Sequence, residues 1–344
     1  MSAIVSMGEG NTPLVESVRI GPDLGARILF KLEMCNPTGS YKDRFVAAEL
    51  AHWLRQGKTA CLATSSGNTG SALAAYSARY GMRCAIFVNQ DAPAGKLMQM
   101  QAHGARIFRV KEFITSPEVT ASVYRRLRAV TEASGAPLIV SAYRHCPQGM
   151  SGVEAIAGEI LAQIDDPPSH VFVPVGGGGL FTAIARGFHS AGCPKVKIHA
   201  VQPAGCATVV SAYEQGREEI LPVSSTTRIS GLAVPFDIDA GRALAELRRG
   251  GGWGIAVSDE EVWEAQSRMI QEEGIWPEPA GAAALAGCLR AHRQGQLQRG
   301  ATVVCIVSGH GFKDAASLQA AIEGNPDHLI CADDINISLL EEDA

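Results

Sequence analysis

The 344-residue sequence has no cluster of basic residues, no closely paired cysteines and no long apolar run. Each absence removes a class of function. Lys and Arg total 30 against 35 Asp and Glu, a formal net charge of −5. A chain so balanced, without a Lys/Arg-rich stretch, carries no electrostatic footprint for nucleic acid. No apolar segment reaches the length of a membrane span. The opening "MSAIVSMGEGNTPL" lacks the basic and apolar regions of a signal peptide. The nine cysteines, at 35, 61, 84, 146, 193, 206, 288, 305 and 331, form no C-x-x-C pair and are odd in number. Cys61 and Cys305 lie inside apolar strand-like runs. That pattern reads as buried reduced thiols and a cytoplasmic compartment. No H-E-x-x-H and no Cys/His cluster points to zinc. No repeat at a solenoid period is found.

What is present is a large apolar fraction, 46%, with 19% charged residues, enough for a substantial core. Apolar runs of strand length alternate with helical patterns. Strands are predicted at 59–66, 83–89 and 105–110, with helices at 71–81, 96–104 and 117–135. The second half repeats the pattern, with strands at 170–175, 197–203 and 301–308 and helices at 180–192 and 259–274. Ser258 or Asp259 caps the last of these helices, and Glu261 suits a capping box. Alternation of this kind means βαβ units and parallel sheets. The boundary between two sheets falls near 141–152. The last residues, "ADDINISLLEEDA", read as an acidic peripheral tail.

In such sheets ligands bind beyond the C-terminal ends of strands. Four loops stand out there. "TSSGNTGS" (64–71) has small residues that let amides approach a ligand, with a helix N-terminus behind them and Asn68 as a neutral donor and acceptor. An ordinary strand–helix turn is the plain alternative. "VPVGGGGLF" (173–181) carries four glycines, Gly176 to Gly179, before a helix, which suits a phosphate held by N–H groups. A dinucleotide fingerprint fits poorly, because Phe181 stands where its third glycine belongs. A Walker loop fails because His52 replaces its first glycine. "IVSGHGFKD" (306–314) places Ser308 at a strand end and His310 in a turn. Last, "NPTGSYKDR" (36–44) opens a predicted helix with Ser40 as N-cap and Asp43 at the third position. Lys42 then sits in the first helical turn, where the helix field disfavours its positive charge. A neutral lysine amine is a nucleophile toward aldehydes; a solvated surface lysine is the plain alternative.

A reactive lysine, a phosphate nest, a hydroxyl at a strand end and an Asn loop together meet the needs of pyridoxal phosphate. The order of "GNTPL" (10–14), "NPTGSYKDR", "SSGNTGSALAAYSARYG" (65–81), "VGGGGL" (175–180), "EPAGAAALAG" (278–287) and "SGHGFKD" (308–314) resembles the tryptophan-synthase-β-like, fold type II pyridoxal-phosphate enzymes over nearly the whole length. "NPTGSYKDR" and "SGHGFKD" look most like threonine synthase; "VGGGGL" and "EPAGAAALAG" look more like threonine/serine dehydratases.

The resemblance implies two doubly wound, mostly parallel three-layer αβα domains with the cofactor in the cleft between them. The smaller would take residues 45–145. The larger, cofactor-binding one would take 1–44 plus 146–330, with 331–344 as the tail. It implies pyridoxal 5'-phosphate as cofactor, with Lys42 as the Schiff-base lysine and catalytic base. Asn68 would meet the ring oxygen, Gly176, Gly177, Gly178 and Gly179 the phosphate, and Ser308 the pyridine nitrogen. Glu278 would lie near the ring edge. Ser65, Ser66, Gly67 and Thr69 would hold the substrate carboxylate. The partners expected are a small amino-acid substrate and a second copy in a homodimer, with no nucleic acid and no membrane. The reaction expected is threonine synthase-like, O-phosphohomoserine to threonine and phosphate. A dehydratase giving a 2-oxo acid and ammonia, β-replacement on O-phosphoserine or O-acetylserine, and a catalytically idle sensor stay open. Arg44, Lys313 and Arg144 are the candidates to seat a substrate phosphate.

Overall fold

The computed structural model describes residues 5–314 apart from Pro93 and Thr115. The acidic tail and Cys331 therefore lie outside the described residues. Ten strands are β1 (Leu14–Glu16), β2 (Arg27–Lys31), β3 (Ala60–Ala63), β4 (Arg83–Asn89), β5 (Arg106–Val110), β6 (Leu138–Ile139), β7 (His170–Pro174), β8 (Lys197–Pro203), β9 (Gly254–Val257) and β10 (Thr302–Ile306). They form a six-stranded sheet in the order β1-β2-β10-β7-β8-β9 and a four-stranded sheet in the order β5-β4-β3-β6. Every pairing is parallel except β1 with β2. Helices cover the sheets, so the architecture is mixed α/β with parallel sheets, as expected.

The central strands show why. β7 is buried at all five positions, and β10 at four of five. Such strands carry no polar face because helices pack on both sides. β4 alternates buried and partly exposed residues and covers 83–89 as predicted. The helix Asp259–Glu273 begins with the full capping box: Ser258 accepts from the Glu261 N–H and the Glu261 carboxylate accepts from the Ser258 N–H. No helix among the described residues is long and apolar enough to cross a membrane. The eight described cysteines form no disulfide, and six of them are buried.

Three local readings change. β3 ends at Ala63, and the following helix runs Asn68–Arg79, starting three residues before the predicted 71. The loop 64–71 is thus split, and Asn68 and Thr69 belong to the first helical turn. Second, Ser40 does not cap the helix Lys42–Arg55. Tyr41 holds the cap position without a side-chain bond. The Asp43 carboxylate turns back instead, accepting from the Thr38 N–H at 3.1 Å and the Thr38 hydroxyl at 2.8 Å. Third, β1 and β2 were not expected. They place Lys31 fully buried beside β10.

That buried lysine belongs to an ion network that explains "GNTPL". Arg44 donates to both Glu33 oxygens at 2.7 and 2.8 Å and to both Glu159 oxygens at 2.6 and 2.7 Å. Lys31 donates to Glu159 and to the Thr12 carbonyl at 2.9 and 2.7 Å. The Asn11 N–H donates to Glu159 at 2.8 Å, and the Thr12 hydroxyl to Glu33 at 2.7 Å. Arg44 is therefore a structural clamp with its donors spent, not a seat for a substrate phosphate. For Glu159, burial alone would raise the pKa, but the bonds from Arg44 and Lys31 outweigh it and hold it at about 2.

Removing one partner of a buried ion network strands the others. Arg44→Ala should cost about 3–5 kcal/mol in urea unfolding at neutral pH. The Glu159 carboxylate binds fewer protons folded than unfolded, so its stabilisation is complete above pH 4.5 and is lost as pH falls toward about 2. Glu159→Gln should lower stability at pH 7 and flatten the fall in unfolding free energy between roughly pH 5 and 3.

Candidate active site

The site is built on a short extended segment. Ser308 to Gly311 follow β10 and are hydrogen-bonded along both edges. On one edge the Tyr41 N–H donates to the Ser308 carbonyl at 3.1 Å and the His310 N–H to the Gly39 carbonyl at 2.9 Å. On the other the Glu278 N–H donates to the Gly309 carbonyl and the Gly311 N–H to the Trp276 carbonyl, both at 2.9 Å. Three of the sequence-predicted motifs, 36–44, 278–287 and 308–314, are thereby joined by backbone bonds.

Lys42 opens its helix one residue beyond this stitch. Its amine hydrogen-bonds to the Ser141 hydroxyl and lies 4.5 Å from the centre of the Tyr41 ring. No acid pairs with it among the described residues. Ser141 was missed at the sequence level. It follows β6 in a loop without a glycine run, 99 residues from Lys42 in the chain.

The glycine run follows β7. Gly178 has φ +96, the left-handed region that glycine tolerates, and Gly179 begins the helix Gly179–Ser190. None of the four N–H groups of Gly176 to Gly179 meets an acceptor among the described residues. The helix points its positive end at the same place. A strap of chain, 231–239, packs behind. A Cβ on Gly176 would come within 3.1 Å of the Gly231 carbonyl, and one on Gly178 within 2.6 Å of the Asp239 carbonyl. The glycines thus serve two needs, free amides on one side and a close strap on the other. Only the first was legible in the sequence.

Asn68, in the first turn of its helix, donates to Glu278 at 2.8 Å, joining residues 210 apart. The space between them is kept open by Gly309, whose missing side chain would collide with the Glu278 carboxylate. Burial pushes the Glu278 pKa up, against the opposing effects of Lys313 and Asn68. Lys313 donates to Gln99 at 2.8 Å, and burial lowers its pKa although Glu278 and Asp43 act to raise it. Asp43 is pushed up to about 6, chiefly by burial. Ser65, Ser66 and Gly67 are half-buried beyond the end of β3, and Thr69 is buried. The Gly67 N–H donates to the Ser65 hydroxyl at 3.3 Å. Arg144 is exposed, and its backbone N–H rather than its guanidinium is engaged, by Asp239 at 3.1 Å. Ser308 is buried, two residues past the strand end at Ile306 rather than on it as expected.

A family model described as pyridoxal-phosphate dependent enzyme matches residues 5–309. The chain belongs to that family, whose cofactor is pyridoxal phosphate. It is 32% identical to threonine synthase of Methanocaldococcus jannaschii, over 98% of this chain and 82% of that one. It is 31% identical to threonine synthase of Bacillus sp., over 98% and 90%. Among solved structures the fold superposes on threonine deaminase isoform 2 of Solanum lycopersicum with a TM-score of 0.78, at 22% identity over 91% of this chain and 83% of that one. Maize serine racemase gives a TM-score of 0.77 at 24% identity over 92% of each.

The residues present fit that cofactor. Four unpartnered amides at a helix N-terminus suit its phosphate, and a primary amine without a carboxylate partner suits its aldehyde.

Gly309→Ala should drive Glu278 and Asn68 apart. Equilibrium titration of the apoprotein should show cofactor affinity falling roughly tenfold or more, the scale of one lost hydrogen bond plus a steric shift. Gly158→Ala is the control. It lies in the helix Ala155–Ala162 with nothing near its Cβ position, and should leave affinity unchanged while adding about 0.5–1 kcal/mol of stability.

Proposed function

We propose that the chain is a pyridoxal-phosphate-dependent lyase that removes an α-proton and expels a β or γ leaving group, most like threonine synthase acting on O-phosphohomoserine. The observation that carries the reading is Lys42. Its amine stands at a helix N-terminus with a neutral hydroxyl, Ser141, as its one polar side-chain partner among the described residues, one residue past Tyr41, whose N–H meets the Ser308 carbonyl.

When bound, the cofactor supplies an electron sink for charge developing at the substrate's α-carbon. The chain's own residues do the rest. Gly176 to Gly179 hold the phosphate through their amides. Lys42 Nζ takes the α-proton, with Ser141 fixing where that nitrogen points. Ser65, Ser66, Gly67 and Thr69 bind the substrate carboxylate at the N-terminus of the helix Asn68–Arg79, where an anion is favoured. Asn68 and Glu278 bound the ring edge. Ser308 offers the ring nitrogen a hydroxyl, which does not enforce its protonation as a carboxylate would, and that suits elimination.

The dehydratase reading draws support from the same chain. With Arg44 consumed by Glu33 and Glu159, only Lys313 and Arg144 of the three candidate cations have no carboxylate pair among the described residues to compete with a substrate phosphate.

The test is to supply the purified protein with O-phosphohomoserine and measure phosphate, and with threonine and measure 2-oxobutyrate. Phosphate release with threonine as the organic product is expected. 2-Oxobutyrate without phosphate release would assign the dehydratase reaction instead. Lys42→Ala should lose both turnover and the visible absorbance of the bound cofactor; retention of that absorbance would remove Lys42 from its role.

A further inference from the structure

We propose that Asp239 is a positioning residue, a buried strut that fixes the distance between the glycine nest and the amine of Lys42. The inference rests on the cofactor reading above and adds a residue to it.

Asp239 occupies the cap position of the helix Ala240–Gly250, where an aspartate ordinarily accepts from its own helix's amides. It makes no such bond. That task falls to Asp237, which accepts from the Gly241 N–H at 3.1 Å. The Asp239 carboxylate is fully buried and reaches another loop instead, accepting from the N–H groups of Tyr143 at 2.6 Å and Arg144 at 3.1 Å. Its nearest cation is the half-exposed Arg242 at 3.7 Å. Two backbone amides thus carry most of the burden of keeping a buried charge satisfied, and such bonds are strong and directional.

Both ends of the strut lie on the site. At one end, the Asp239 N–H donates to the Gly177 carbonyl at 2.9 Å, and its own carbonyl fills the space that a Gly178 side chain would need. At the other, Tyr143 and Arg144 sit two and three residues past Ser141, which holds the Lys42 amine. The Ala142 N–H on the Val140 carbonyl at 2.7 Å brackets Ser141, and the Cys146 N–H on the Ala142 carbonyl at 2.8 Å closes the turn that carries Tyr143 and Arg144. The Tyr143 ring is pinned as well, its hydroxyl on Glu154 at 2.6 Å and Arg186 4.5 Å from its centre. Nest and lysine are therefore connected through one carboxylate and one tight turn. A ligand that spans both ends gains from their fixed separation; a ligand that touches one end does not.

That difference is the test. Apoprotein of the wild type, Asp239→Asn, Ser141→Ala and Arg242→Ala would be titrated with three probes: pyridoxal phosphate, inorganic phosphate and pyridoxal. Asp239→Asn keeps the shape but presents an NH2 to one of the two amides. It should weaken pyridoxal phosphate roughly tenfold or more while changing inorganic phosphate and pyridoxal less than about threefold. Ser141→Ala, at the far end, should lose affinity for the spanning probe in the same way, and the double variant should lose less than the product of the two single losses. Arg242→Ala should match wild type. Equal weakening of all three probes in Asp239→Asn would mean general loosening and would overturn the proposal, as would unchanged pyridoxal phosphate affinity. If Asp239→Asn does not fold, an additive Ser141→Ala and Tyr143→Phe pair measured the same way overturns it. Wild-type protein that takes up no pyridoxal phosphate removes the cofactor reading, and this one with it.

Discussion

The site depends on an extended segment of four residues, Ser308 to Gly311, that has neighbours on both edges. Backbone bonds tie it to Gly39 and Tyr41 on one side and to Trp276 and Glu278 on the other. These bonds do not depend on charge state, so they set the geometry before any titratable group acts. Lys42 is displaced from this frame by one residue, Ser308 belongs to it, and Glu278 is fixed by its own N–H. The glycine at 309 follows from the same constraint. With strands close on both edges and Glu278 and Asn68 above, no side chain fits.

Electrostatics then separates two kinds of buried basic residue. Lys31 and Arg44 are matched by Glu33 and Glu159 in bonds of 2.6 to 2.9 Å. They hold the amino-terminal loop and are spent in doing so. Lys42 has no such match, and Lys313 reaches its carboxylate neighbours only at longer range while bonding to a neutral amide, Gln99. At Arg44 burial is outweighed by the Glu159 and Glu33 carboxylates, which hold its pKa up, whereas at Lys31 burial wins over Glu159 and lowers it. Lys42 and Arg44 are two residues apart in one helix, yet one meets a hydroxyl and the other two carboxylates.

Much of this was legible in the sequence because it is local. β4 and β8 begin and end where the apolar runs do, and the capping box at Ser258 and Glu261 needs only four residues to specify. The glycine run announced free amides because glycine in such number has few other uses at a strand–helix junction. What was not legible is long-range. Arg44 reads as a free cation until Glu159, 115 residues away, is brought to it. Ser141 carries no local mark. Ser40 looked like a cap, and Asp43 like its partner, because the rule for helix starts is local; Asp43 instead closes the turn at Thr38. β1 and β2 escaped notice since one has only three residues and the other ends in a lysine whose burial depends on distant acids.

The threonine synthase-like reaction proposed above would bring a second negative charge into the neighbourhood of Glu278. A substrate bearing a distal phosphate brings a dianion toward a carboxyl group. Two ionised groups of like sign in a low-dielectric cleft would repel strongly. Burial pushes Glu278 toward keeping its proton, which would relieve that repulsion, while burial also lowers the Lys313 pKa against the pull of Glu278 and Asp43. Asp43, with its pKa near 6, works in the opposite direction on the same lysine as pH rises. The balance among these three groups, rather than any one residue, would set how well the proposed site takes a phosphorylated substrate.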